Sequence, residues 1–259
     1  FAPGHDLSRL FTLHNFSGPA GGSVWPATEN LLFLFLLGLQ LPAYTITGFD
    51  ASAHTAEETV GASVAVPKAI VFAVISSSIF GWVMLASIVM AIPDLDQGIG
   101  HGDKVFFYTM DSVLPRGLCA LLYLGCGLAQ YLCGLATVTS SSRMVYAFAR
   151  DGGLPLSSKL RQVSDRYLTP VNAIWMVALL SVCFATFSKV YATIAVVCTI
   201  FLYISYVLPI ALGLLAYRRS WNKIGPWDLG GYFRLAAALS VLGCSGLIYI
   251  GMQDMLALK

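Results

Sequence analysis

Charge is the scarcest property of this chain. Asp, Glu, Lys and Arg make up 11% of its 259 residues, against roughly 25% in ordinary soluble domains. Too few charges remain to solvate a globular surface. Long polar stretches are missing as well: the segments between apolar runs reach only about 25 to 30 residues, and none carries a core-forming pattern, so no soluble domain is hidden among them. The six cysteines (Cys119, Cys126, Cys133, Cys183, Cys198, Cys244) all lie in apolar segments, without disulfide or metal-ligand spacing. No HExxH motif is present. These absences leave nothing that implies a cofactor or a metal. Residues 1 to 30 also lack an apolar signal segment.

What is abundant is hydrophobicity, at 57% of residues with a mean hydropathy of +0.75. A bilayer core about 30 Å thick is crossed by about 20 apolar helical residues. Six stretches meet or approach that length: about 30–59 (interrupted), 69–92, 117–148, 171–187, 190–217 and 233–252. The expected fold is an all-α polytopic membrane helix bundle with a broken first span. Ser188 and Lys189 alone join the fourth and fifth spans, which predicts an antiparallel hairpin there.

Lys and Arg concentrate in short cytoplasmic loops. Of the fifteen here, ten fall in 50–68, 143–169 and 218–234, and five in the alternate segments. The first set is therefore expected inside and the residue 1 end outside. With no signal segment and a first residue Phe1, that orientation predicts a piece of a longer protein with an odd number of spans before Leu31. The basic loop with Lys159, Arg161 and Arg166 reads as a solvated face near anionic lipid, so the partners are the bilayer and not nucleic acid. Cys119, Cys126 and Cys133 recur every seven residues among Gly117, Gly125, Gly127 and Gly134; small residues of this kind allow close helix packing. Residues 93–116 predict a Gly-rich turn followed by a short helix on the outer face, and DGGLP at 151–155 a helix stop.

One segment resists the apolar pattern. TGFDASAHTAEET at 47–59 directly follows the uncharged run Leu31 to Ile46. A straight helix through it would carry Pro42, Thr45, Thr47, Gly48 and Asp50 at a depth where unpaired polar groups cost several kcal/mol. A broken helix avoids that cost: a first half to Ile46, unwinding at Thr47 to Phe49, and an inner half-helix from Asp50 to Thr59. Asp50 then serves either as the N-cap of the second half or as a direct group for solute or protons. Asp50, His54 and Glu58 stand four apart and form one stripe, which suits proton transfer between cavity and cytoplasm. Equally, His54, Glu57 and Glu58 suit a gate already in water.

This segment, followed by a span after VPKAI and later by SSSRMVYAFARDGGLP, resembles the amino acid, polyamine and organocation superfamily of transporters, with its amino acid, gamma-aminobutyrate and choline permease branch nearest. The resemblance covers essentially the whole chain, residues 1–259, as a partial permease domain. It implies the second half of a five-plus-five inverted-repeat fold, matching spans six to eleven of twelve, with the N-terminal spans of the same protein as an absent partner. By the same resemblance Thr47, Gly48 and Phe49 face the solute, Tyr44 lies over it, and Asp50 occupies the acidic position. Ser140 and Ser141, with Ser142, match a segment near a coupling-ion site, against hydroxyl back-bonding within a helix as the other reading. Gln130 and Tyr203 are polar groups in apolar spans that suit a cavity wall. Relatives place basic residues between Glu-Glu-Thr and the next span; this chain has only Lys68 there, which weakens an inner gate built on Glu57 and Glu58.

The expected function is secondary active transport of an amino acid or amine by alternating access, coupled to protons or running as exchange. The expected location is a plasma or bacterial inner membrane. Two other classes remain open on the sequence: an intramembrane enzyme using His54 with Asp50 or Glu58, and a transport-inactive fragment or sensor.

Overall fold

The computed structural model describes residues 7–17, 28–187, 191–222 and 224–257. Among them the secondary structure is helical, with no β-strand. The hairpin expected at Ser188 and Lys189 falls outside the described residues.

The first apolar run folds as two helices, α1 (Leu31–Gly38) and α2 (Gln40–Thr45). Asn30 starts α1 by accepting the Phe33 N–H on its side chain at 3.1 Å, as N-caps do. The interruption at Leu39 has a direct cause in Pro42, whose ring nitrogen has no hydrogen to give to the Gly38 carbonyl. After α2 come a turn at residues 46–50, a single helical turn α3 (Ala51–His54), and a 3-10 turn at Ala56–Glu58.

The long helix α4 (Ala62–Ala91) begins seven residues before the expected span start and keeps Pro67 inside it. Two short helices follow, α5 (Leu95–Gly100) and α6 (Val105–Val113), where the sequence predicts a turn and one short helix. Arg9 donates to the Ile92 carbonyl at 2.7 Å and the Val89 carbonyl at 3.4 Å, placing a cation at the negative end of α4.

Helix α7 (Arg116–Arg150) is the longest. Its end is written in DGGLP: Gly152 takes φ +77°, its N–H reaches the Ala149 carbonyl at 3.2 Å, and the Gly153 N–H reaches the Phe148 carbonyl at 2.9 Å. That pair of bonds is a Schellman stop. A 30 Å hydrocarbon layer takes up about 20 residues of helix, so α7 is long enough to carry Arg143 and Arg150 beyond it.

The chain then forms α8 (Ser157–Leu160), α9 (Val171–Phe187), α10 (Tyr191–Ala216) and α11 (Phe233–Ala257). The most extensive helix pairing is α10 with α11; α9 packs on α7, and both α2 and α3 touch α4. Four described segments are long and apolar enough to cross a membrane, Ala62–Ala91, Arg116–Arg150, Val197–Ala216 and Gly230–Gln253, with Leu31–Thr45 and Val171–Thr186 as shorter apolar helices. Beyond Cys119, the seven-residue cysteine stripe packs against nothing among the described residues. Cys119 is buried, donating to the Met110 carbonyl, but Cys126 and Cys133 are exposed, and a Cβ on Gly125, Gly127 or Gly134 would meet nothing within 4 Å.

Candidate functional site

A helix that stops inside a membrane leaves its last carbonyls without partners. At the end of α2 each of the three preceding the final residue is answered locally or by α10. The Pro42 carbonyl accepts from Ile46 N–H at 3.3 Å and the Tyr44 carbonyl from Thr47 N–H at 3.1 Å. Thr47 Oγ1 adds a second bond to Tyr44 at 2.7 Å. The Ala43 carbonyl, deprived of Thr47 N–H, accepts from the Tyr203 hydroxyl at 3.0 Å in a buried contact.

The turn itself hinges on Gly48, whose φ of +84° is open to glycine and costly for other residues. Its N–H points at Tyr206 Oη, 3.2 Å away. The same hydroxyl donates to Asp50 Oδ1 at 2.9 Å, and the Tyr206 ring lies 4.6 Å from that of Phe49. Asp50 Oδ2 lies 3.2 Å from His54 Nε2. The structure thus brings Gly48, Phe49, Asp50 and His54 together around one tyrosine. Tyr44, on α2, remains 45% exposed.

Three expectations need correction. Asp50 is not a side-chain cap: its φ of −73° and ψ of −8° are already helical, and its carboxylate bonds no N–H of α3. An N-cap side chain folds back from extended backbone, and Asp50 is not extended. The inner half-helix is not continuous to Thr59, because α3 ends at His54 and the chain tightens into a 3-10 turn at Ala56–Glu58. The stripe therefore stops at His54. Glu58 instead forms a bidentate pair with Arg143, Nε to Oε1 and Nη2 to Oε2, both at 2.8 Å, and Glu57 pairs with Arg150 at 2.8 and 3.1 Å. The acids do have cationic partners, on α7 and not in the segment after Thr59.

The Arg143 hydrogen bonds hold the Glu58 carboxyl below its ordinary value, against the opposing effect of partial burial. Ser140 and Ser141 are half-buried on α7, while Ser142 is fully buried and donates to the Thr139 carbonyl at 2.9 Å. That is the back-bonded arrangement. Gln130 is exposed.

Two cavities flank the break. One of about 700 Å³ is lined by residues before it, Pro42, Ala43, Thr45 and Ile46, facing Gly81, Trp82 and Gly246. Its walls are almost wholly apolar, so the larger cavity is not where the polar chemistry lies. The other, about 590 Å³, is lined by residues after the break, among them His54, Glu57 and Glu58, with Arg143, Tyr146 and Asp151 opposite. Thr47 to Asp50 line neither. Among the described residues no group of three His, Cys, Asp or Glu is placed to hold a metal ion.

Tyr206, Gln40, Arg143 and Arg150 emerge as site residues only in the structure. Tyr203 and Tyr206 stand one helical turn apart, so a polar pair on one face of an otherwise apolar helix was the available signal for the first. Gln40, whose Nε2 donates to the Leu247 carbonyl at 2.8 Å, offered the same signal in the first run. Arg143 and Arg150, two turns apart on α7, share a face that two adjacent acids can reach.

The family model for amino acid permeases matches residues 7–256. Amino-acid permease BAT1 of Arabidopsis thaliana is 35% identical over 245 residues, which are 90% of this chain and 46% of that protein. The BAT1 homolog of Oryza sativa subsp. japonica is 37% identical over 85% of this chain and 44% of its own length. Amino-acid permease 2 of Neurospora crassa is 30% identical over 88% and 41%. The chain thus spans a little under half the length of these curated relatives. No solved structure matches it. The relatives are permeases and not enzymes, which removes the enzymatic reading of His54 with Asp50 or Glu58. With its four long apolar helices the chain is a multi-pass integral membrane protein. A match over nearly all of its residues makes this chain a member of the amino acid permease family.

Proposed function

We propose that this chain supplies one half of the solute path of a secondary active transporter that moves an amino acid or related amine by alternating access. In that assignment it corresponds to spans six to eleven of a twelve-span, five-plus-five permease, and the other broken helix comes from the N-terminal spans. The observation that carries the reading is the break at Gly48, whose preceding residues line one cavity and whose following residues line another. A solute held there stands between two chambers. Unwound backbone at such a point exposes N–H and C=O groups to it.

In this reading the solute carboxylate takes backbone N–H groups of the turn, its ammonium takes Asp50, and Phe49 and Tyr44 close over it with apolar and cation-π contact. Asp50 and His54, 3.2 Å apart, form the coupling pair that exchanges a proton as the solute arrives. Ser140 and Ser141 flank that path. The pairs Glu58–Arg143 and Glu57–Arg150 form the inner gate, tying α3 and its following turn to the emergent end of α7.

The test is uptake of radiolabelled amino acids by the full-length protein in liposomes, under either an imposed proton gradient or internal amino acid. Accumulation driven by one of these supports the reading. Flux that follows only the amino acid's own gradient, or no flux, sinks it.

A further inference from the structure

A hydroxyl is a compact group that accepts and donates at once, and Tyr206 uses both functions on the broken segment. It accepts from Gly48 N–H at 3.2 Å and donates to Asp50 Oδ1 at 2.9 Å. Those two groups are complementary to a zwitterion. A backbone N–H is what a carboxylate seeks, and a carboxylate is what an ammonium seeks. Building on the transport reading above, we propose that Tyr206 is an internal stand-in for the solute: its hydroxyl occupies the Gly48 and Asp50 groups that an amino acid takes on binding, and the arriving solute displaces it.

The neighbouring contacts are arranged for such an exchange. Asp50 divides its oxygens, Oδ2 to His54 and Oδ1 to Tyr206, so loss of the phenol frees one oxygen while the other keeps the carboxylate oriented. Both donors meet a carboxylate, but the ammonium also sets a full positive charge opposite it, an attraction worth more inside a protein than in water. Exchange therefore favours the solute. Tyr203 differs. It is 7% exposed and gives its hydroxyl to a single helix-end carbonyl, that of Ala43, so it holds structure that no solute replaces. While Tyr206 occupies the site, apparent affinity falls in proportion to the fraction of molecules left open.

The full-length protein, purified in detergent, is tested for equilibrium binding of radiolabelled alanine, leucine, glutamate, lysine and 4-aminobutyrate. For the tightest of these, Tyr206→Phe is expected to lower Kd about fivefold, the worth of one net hydrogen bond. Tyr217→Phe should leave Kd within about twofold of wild type, because Tyr217 stands just past the end of α10 and gives its hydroxyl to the Gly230 carbonyl, away from Gly48 and Asp50. A Tyr206→Phe Kd equal to or above the wild-type value overturns the proposal. Should that variant not fold, 3-fluorotyrosine at position 206 in the folded protein gives a second readout. Its ¹⁹F resonance should shift on saturation with amino acid, and an unmoved resonance overturns the proposal equally. Wild-type protein that binds none of the five amino acids defeats the transport reading itself, a result distinct from a Tyr206→Phe protein that binds no tighter than wild type.

Discussion

Arg143 grips Glu58 with two parallel bonds of 2.8 Å across 85 residues of sequence. The contact fastens the turn after the helix break to α7, which also packs against α3, α8 and α9. Planar guanidinium matches carboxylate in this geometry and a lysine does not. The Glu58 side chain is nevertheless 58% exposed and that of Arg143 18%, so water and salt screen much of the attraction. Glu58→Gln should cost about 1 kcal/mol or less in thermal unfolding, and a larger loss would mean that the pair is a structural strut. The sign with pH follows from the carboxyl being held below its ordinary 4.5. Its contribution is complete above that value and disappears as pH falls through the lower folded one. Glu58→Gln should therefore flatten the stability profile on the acid side of about pH 4.5 and leave it unchanged in shape above pH 6.

Gly48 is held at φ +84° with open space around the position of a Cβ. A substitution there meets backbone strain and no clash. Gly48→Ala is expected to destabilise by about 1 to 2 kcal/mol, and Gly48→Asn by less, since Asn tolerates left-handed backbone. Thermal unfolding in detergent reads both; equal losses would mean that strain is not the cause.

Helices α2 and α4 approach closely where a Cβ on Gly81 would stand 3.0 Å from Thr45 Cγ2. Thr45 cannot easily turn away, because its Oγ1 is bonded to the Leu41 carbonyl at 2.9 Å. Gly81→Val should cost about 1 to 3 kcal/mol by overpacking. Thr45→Ser removes the obstructing methyl and keeps the hydroxyl, so the double variant should recover at least about 0.5 kcal/mol relative to additivity. Strict additivity would place the cost of Gly81→Val elsewhere.

Tyr203→Phe removes the hydroxyl that α10 gives to the Ala43 carbonyl and leaves a buried acceptor at a helix end. The expected loss is about 1 to 3 kcal/mol. A melting temperature equal to wild type would show that another donor reaches Ala43.

The break was legible because two local signals coincide: Gly48 has φ freedom, and Thr47, Asp50 and His54 are too polar for the apolar run that precedes them. The interruption before Pro42 was not foreseen: the first half was expected unbroken to Ile46, whereas it folds as two helices. Helix ends were legible where the stop is local, as at Gly152, and not where it depends on a neighbour, as at Ala62, where the helix runs through Pro67. The partners of the break were hidden for a different reason. Tyr206 meets Asp50 across 156 residues, and a tyrosine in an apolar helix looks the same whether it faces lipid or a hydrogen-bonded turn. The basic partners of Glu57 and Glu58 were sought nearby in sequence, whereas packing brings them from the far end of α7, 93 and 85 residues on. Asp50 looked like a cap because residue type alone suggests one; only φ and ψ show that the helix has already begun.

The most direct measurement is uptake of a radiolabelled amino acid into liposomes containing the full-length protein, compared with Phe49→Ala and Asp50→Asn. If the turn at Gly48 holds the solute, Asp50→Asn should lower kcat/KM about tenfold or more, by loss of a charged hydrogen bond worth about 1.5 to 3 kcal/mol. Phe49→Ala should raise KM by a similar factor through lost contact with the solute. Transport unchanged in both variants, with both proteins folded, would contradict the placement of the solute at this turn.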